Sequence, residues 1–243
     1  MSNPVLNDKY LSQEKVLTGE PMTISGAINK ILILTAFVFL GAGFNWNLLL
    51  NGYADKAMML GIAGGILGFV LSLVIIFNKQ TAKFLSPIYS IGQGLLLGSL
   101  SYYFEASYQG IVIQAIGGTL IVLLTMLGLY KAKLIQYTQK FQAVLMTAMM
   151  SILIIYVIQI VASFFGRGIP AIFESGAIGI GFSIVVIIVA ALSLIQDFHI
   201  IELGVNNMLA KDFEWYSAFG MMITLLWLYV EILRLLAKLN NRR

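Results

Sequence analysis

The 243-residue chain is 59% hydrophobic and 11% charged, with a mean hydropathy of +0.90 and a net charge of +4. An ordinary soluble domain carries about 25% charged residues, so this chain lacks the polar surface of a water-facing globule, and its composition predicts an integral membrane protein. The absence of cysteine and the single histidine exclude disulfides, thiol chemistry and Cys- or His-rich metal sites, and basic residues confined to short loops between apolar runs point to membrane insertion rather than nucleic-acid binding.

Residues 1–26 open with MSNPVLNDKYLSQEKVLTGEPM, polar and mixed in charge. No basic cap leads into a short apolar core with a small-residue cleavage site, so this stretch reads as a polar tail rather than a secretory signal. Residues 27–243 then form one transmembrane domain of all-α class. Seven runs approach the ~20 apolar residues that cross the hydrocarbon layer. They are Ala27–Leu49, Lys56–Phe77, Phe84–Phe104, Ile111–Tyr130, Ala143–Phe165, Ser175–Gln196 and Tyr216–Ala237. Short joints leave no room for a linker or a soluble domain. Pro87 falls in the first turn of the third run, where its missing N–H costs little.

Glycines four apart in the second run (Gly61 with Gly65, Gly64 with Gly68) and the third (Gly94 with Gly98) predict close helix packing, as do Gly176, Gly179 and Gly181 in the sixth. With the N-terminus inside, the tail and the cytoplasmic joints hold Lys9, Lys15, Lys30, Lys79, Lys83, Lys131, Lys133, Lys140 and Lys211, against Lys56 and Arg167 on the other side. This bias favours a cytoplasmic N-terminus. Seven crossings then send Arg234, Lys238, Arg242 and Arg243 towards the outside, against the same rule.

The seventh run contains LWLYVEILRLL, Leu226 to Leu236. At steps of three and four, Ser217, Gly220, Thr224, Trp227, Glu231, Arg234 and Lys238 form one stripe that collects its polar and small residues. The sixth run has a matching stripe, Gly176, Gly179, Ser183, Val186, Ala190, Ser193 and Asp197. Lipid offers a polar stripe no partners, so the two faces are expected to meet. Glu231 is either an internal pair with Arg234 at i+3 or, as an intramembrane carboxylate, a functional group. Asp197 reads equally as a helix end; His199 and Glu202 read as surface residues.

LYVEI closely resembles the last-helix motif of the transmembrane Bax inhibitor motif family, which includes bacterial YccA-like members. Glu231 takes the place of the family's acid, Asp197 in SLIQDFHIIE matches the acid ending the sixth helix, and SPIYSIGQGLLLGSLSYYFEASYQGIVIQA, Ser86 to Ala115, resembles the third helix and the start of the fourth. The resemblance covers most of the chain and is most specific in the third, sixth and seventh runs. It implies seven transmembrane helices with the last surrounded by the other six. It also implies a pH-sensitive calcium leak gated by a carboxylate pair, Asp197 and Glu231, with Arg234, His199 and Glu202 in support. Calcium would be the ion those two acids meet, with no other cofactor. The implied setting is a bacterial plasma membrane, with the bilayer and another membrane protein as partners and no nucleic acid.

Three features depart from the family pattern: Glu replaces the commoner Asp, Gln93 stands where an acid is frequent, and 34 residues separate Asp197 from Glu231. Were the sixth helix to stop at Leu203, Asp197 would lie about 9 Å from the turn and Glu231 about 27 Å. Phe198, Ile201, Val205 and Met208 continue an apolar face, so the helix is expected to run past Gly204, towards Ala210.

Competing classes fit less well. A retinal protein requires a mid-helix lysine in the seventh run, and Lys238 is at its end. An intramembrane protease lacks a Gly-x-Gly-Asp context and a Ser partner for His199, so no enzyme is expected. A proton-coupled transporter would be marked by broken helices. A non-conducting regulator of another membrane protein, such as a membrane protease, remains compatible with the pattern.

Overall fold

The computed structural model describes residues 20–165, 172 and 174–242. Most of the expected tail, residues 1–19, lies outside them, as do Arg167, Pro170 and Arg243. Among the described residues, seven helices dominate: α1 (Ile24–Leu50), α2 (Ala54–Phe77), α3 (Ala82–Ser107), α4 (Ile111–Lys131), α5 (Gln139–Phe164), α6 (Ala177–Asn206) and α7 (Phe213–Asn240). A 3-10 turn, Lys79–Thr81, joins α2 to α3, and a single antiparallel bridge pairs Pro21 with Ala210. Several helices extend a few residues beyond the predicted apolar runs, because helical hydrogen bonding continues where the side chains become polar.

All but α3 are both long and apolar enough to cross a membrane. At 26 residues α3 has the length, about 39 Å, but Ser86, Ser90, Gln93, Ser99, Ser101 and Glu105 dilute its apolar character. Pro87 is the sixth residue of α3 rather than a first-turn residue, because the helix begins at Ala82. There it removes a bond that Lys83's carbonyl would have accepted.

The end of α6 follows the expectation that it runs past Gly204, but it stops at Asn206. Met208 adopts a left-handed conformation (φ 51), with Met208 N–H bonded to the Val205 carbonyl and Leu209 N–H to that of Gly204. This is the Schellman closure, made without glycine. Gly204 serves another purpose: a Cβ there would stand 2.4 Å from Met22 Sδ.

The chain divides into two compact units. The first comprises Met1–Tyr103 with His199–Ile223. Its helices approach through glycine as expected: a Cβ on Gly94 would lie 2.3 Å from the Val38 carbonyl oxygen, and one on Gly64 would lie 2.5 Å from that of Gly92. Asn45, fully buried, donates to Ser99 Oγ at 2.6 Å. The segment before α1 pairs with the α6–α7 connection through Met22 N–H to Leu209 and Lys211 N–H to Glu20. Glu214, 1% exposed, accepts the Thr23 backbone N–H at 3.0 Å and meets Lys30 Nζ at 3.0 Å.

The second unit comprises Phe104–Phe198 with Thr224–Arg243. Its core joins Leu145 and Ile152 of α5 to Val186 and Val189 of α6, with Phe182 and Trp227 against them. Gly176 and Gly181 face open space, contrary to their expected packing role. Gly179 is crowded by its own preceding turn, where a Cβ would stand 2.0 Å from the Glu174 carbonyl. Glycine there lets the chain fold back on α6 rather than letting a second helix approach.

Candidate functional site

The two stripes meet within the second unit. The Thr224 hydroxyl of α7 donates to Asp197 of α6, and Lys238 Nζ donates to Ser183 Oγ at 2.9 Å. Fourteen residues separate the two contacts on each helix, so α6 and α7 run antiparallel in constant register. Glu231, midway between Thr224 and Lys238, therefore faces Ala190. Ser183, Val186, Ala190, Ser193 and Asp197 are all buried, as are Thr224 and Glu231. The small α6 stripe makes room for the polar α7 stripe, and Trp227 fills the width left by its neighbours.

Glu231, 2% exposed, accepts the Tyr156 hydroxyl at 2.8 Å and Arg234 Nη1 at 3.3 Å, both on Oε1. The i+3 pair anticipated from the sequence is thus real, and Tyr156 of α5 completes it. The guanidinium carbon of Arg234 lies 5.7 Å from the centre of the Tyr156 ring, within cation–π range. A buried carboxylate with two donors, one of them cationic, is held strongly in place.

Asp197 is in a separate environment. One oxygen answers Thr224, and Oδ2 has no hydrogen-bond partner among the described residues. Tyr137, on the connection between α4 and α5, lies within electrostatic reach; burial first, and then the Asp197 charge, push its phenol up to about 12. Tyr130 packs on Phe198, the next residue of α6, with ring centres 5.8 Å apart. The spacing explains why the acids do not share one site. Asp197 is level with Thr224, and Glu231 lies seven residues further along α7, about 10 Å by helical rise. Among the described residues, no three acidic or histidine side chains gather as a metal-holding group.

His199 and Glu202, expected as supporting residues, belong to the first unit, where they lie within electrostatic reach of one another on α6. Tyr156 was not anticipated: in SILIIYVIQIV it looks like any membrane aromatic. Glu214 was also missed, because KDFEWY reads as a polar connection.

A cavity of about 350 Å³ opens beside Glu231. The last turns of α7 contribute Arg234 and Lys238, α5 contributes Tyr156, and the start of α6 contributes Ser183, with Ser175 before it. Lys238 also donates to the carbonyls of Ile172 (3.1 Å) and Gly179 (2.9 Å), tying the segment before α6 to α7.

The family model described as Bax inhibitor 1 like matches residues 3–241, nearly the whole chain. The chain belongs to this family. No curated protein matches it. Together with the long apolar helices, membership makes it a multi-pass membrane protein, and it agrees with a resemblance that covers most of the chain. Glu231, Asp197 and Arg234 are therefore residues of a Bax inhibitor 1 like protein, set on two facing helices in the geometry above.

Proposed function

We propose that this protein is a non-enzymatic, pH-sensitive leak channel for calcium, with Asp197 and Glu231 acting as two locks in series along the α6–α7 interface instead of as one carboxylate pair. The observation that carries the reading is that interface: two buried acids on facing stripes, two helical turns apart, with Ala190 opposite Glu231 and Ser193 between their levels. Each acid faces a different set of groups. Asp197 faces Thr224 of α7 and Tyr137 of the α4–α5 connection; Glu231 faces Tyr156 of α5 and Arg234 on its own helix, with Lys238 one turn further on.

The mechanism follows from charge. Ionised Glu231 accepts two charge-assisted hydrogen bonds, roughly twice as strong as neutral ones: the one from Tyr156 joins α5 to α7, and the one from Arg234 lies within α7. Protonation weakens both and leaves Arg234 without its counter-charge, so the contact loosens and flux rises as pH falls. Carboxylate oxygens are the hard ligands that calcium accepts in passing. Burial is deepest along the two helices that carry the acids. Half of the apolar windows of α6 and α7 is buried, against 11–22% in α1, α2, α4 and α5. Leu228 and Leu233, off the polar stripe, are fully buried too. The lysine distribution supports a cytoplasmic N-terminus.

The test is calcium flux into dye-loaded liposomes between about pH 5 and 8. Glu231→Gln and Asp197→Asn should each flatten the pH response, and by different amounts. Flux that both substitutions leave unchanged would sink the mechanism, and no flux at any pH would favour a regulator of another membrane protein.

A further inference from the structure

The α6–α7 connection receives an extended strap from the chain ahead of α1. Lys211 N–H donates to the Glu20 carbonyl at 3.1 Å and Met22 N–H to that of Leu209 at 2.8 Å, and Pro21 pairs with Ala210 between those two bonds. This is the non-hydrogen-bonded position of an antiparallel pair, so the missing N–H of Pro21 costs the pairing nothing. Met22, 2% exposed, enters the space that Gly204 leaves beside Phe213. One residue on, Thr23 is fixed firmly: its N–H and its hydroxyl both reach the buried Glu214 carboxylate, and its Oγ1 caps α1 at the Gly26 N–H. The strap ahead of Thr23 is held less well. It has two backbone bonds, one buried side chain, and an ion pair between Glu20 and Lys211 whose side chains are 77% and 55% exposed. Exposed pairs add little, and a segment with so few buried contacts opens at a free energy well below that of global unfolding.

We infer that residues 20–22 are a displaceable latch on the α6–α7 connection, hinged at Thr23. Closed, the latch ties the end of α6 to the start of α1 and steadies the connection from which α7 begins. Open, it withdraws Met22 from Gly204 and leaves residues 208–211 to their own turn bonds, such as Leu209 N–H to Gly204 and Phe213 N–H to Ala210. Its effect on transport rests on the leak reading. The helices that meet at this connection carry Asp197 and Glu231, and freeing the connection lets their facing stripes shift, so an open latch favours flux.

Because the chain contains no cysteine, the latch can be locked at will. A non-hydrogen-bonded antiparallel pair sets its Cα atoms about 4.5 Å apart, inside the range of about 4.4–6.8 Å that a disulfide spans. Pro21→Cys with Ala210→Cys should therefore bridge on oxidation of the full-length protein in liposomes. Hydrogen exchange over residues 207–212 reads the latch without any conduction. Exchange should be about tenfold slower in the oxidised double variant than in the same protein reduced, and faster than wild type by a similar factor in Met22→Asp. Met22→Leu should keep the wild-type rate. The oxidised bridge should also cut calcium flux at the acid end of the assay by about fivefold, reversibly, and Met22→Asp should raise flux at the alkaline end by as much. Should Met22→Asp fail to fold, the oxidised and reduced forms of the double variant carry the comparison alone. A pair that does not bridge, or exchange that the bridge leaves unchanged, overturns the latch; so does an equal response to Met22→Asp and Met22→Leu. Flux indifferent to a bridge that has slowed exchange overturns its hold on the leak. No flux from the wild type at any pH sinks the leak reading instead, and exchange still decides the latch.

Discussion

The Thr224 hydroxyl donates to Asp197, and Lys238, fourteen residues on, donates to Ser183, fourteen residues back along the facing helix. These two bonds fix the α6–α7 register at both ends and place Ala190 opposite Glu231. Cysteines introduced at Ala190 and Glu231 should therefore form a disulfide on mild oxidation. Ile188, 52% exposed, lies off the stripe, and Ile188→Cys with Glu231→Cys should not. Cross-linking of the second pair in preference to the first would show the register to be wrong.

Glu214 and Lys30 offer a test of buried charge in the first unit. The Glu214 side chain is 1% exposed and that of Lys30 20%. Removing either partner strands the other, at about 3–5 kcal/mol for a fully buried pair, and somewhat less here because Lys30 retains some water. Lys30→Gln should lower the unfolding midpoint sharply, and Glu214→Gln should do the same. The double substitution should be milder than the sum of the two. Strict additivity in a double-mutant cycle would mean that the pair contributes nothing as a pair.

Tyr137 predicts alkaline behaviour. Burial, and secondarily the Asp197 charge, raise its phenol from 10.0 to about 12. A group whose pKa is raised by folding contributes stability that is complete below its unfolded value and lost as pH climbs through the folded one. The protein should thus weaken between about pH 10 and 12, and Tyr137→Phe should flatten that loss while changing little at pH 7. Identical alkaline profiles for the two proteins would exclude the phenol as the cause.

Some of this was legible beforehand, for physical reasons. Apolar runs reveal helices directly, and seven helices emerge near their expected bounds, six of them apolar enough to cross a membrane. Steps of three and four on α7 picked out Thr224, Glu231, Arg234 and Lys238, because one stripe must find protein partners in lipid. What stayed hidden depends on chain geometry that no local pattern carries. Met208 ends α6 in a left-handed turn without glycine, short of the expected Ala210, and Gly204 lies inside the helix where it admits Met22. Tyr156 joins Glu231 only because α5 passes at that level. The separation of Asp197 from Glu231 follows from where α6 ends, and a few residues of helix decide whether two acids share one site or occupy two.

Tyr156 also makes the charge on Glu231 measurable. Its hydroxyl reaches Oε1 at 2.8 Å, alongside Arg234 at 3.3 Å. A hydrogen bond to a charged acceptor contributes about 1.5–3 kcal/mol and a neutral one about 0.5–1.5 kcal/mol. Tyr156→Phe should therefore destabilise the protein by the larger amount when Glu231 is ionised. In a Glu231→Gln background the same change should cost the smaller amount, at any pH. The cycle run at about pH 8 and again at about pH 5 compares the coupling at the two ends of the flux assay. If Glu231 releases its partners on protonation, the wild-type cost of Tyr156→Phe falls towards the Gln-background value in acid. A cost that stays large and unchanged at both pH values would show that Glu231 keeps its charge throughout, and the lock would then have to reside at Asp197 alone.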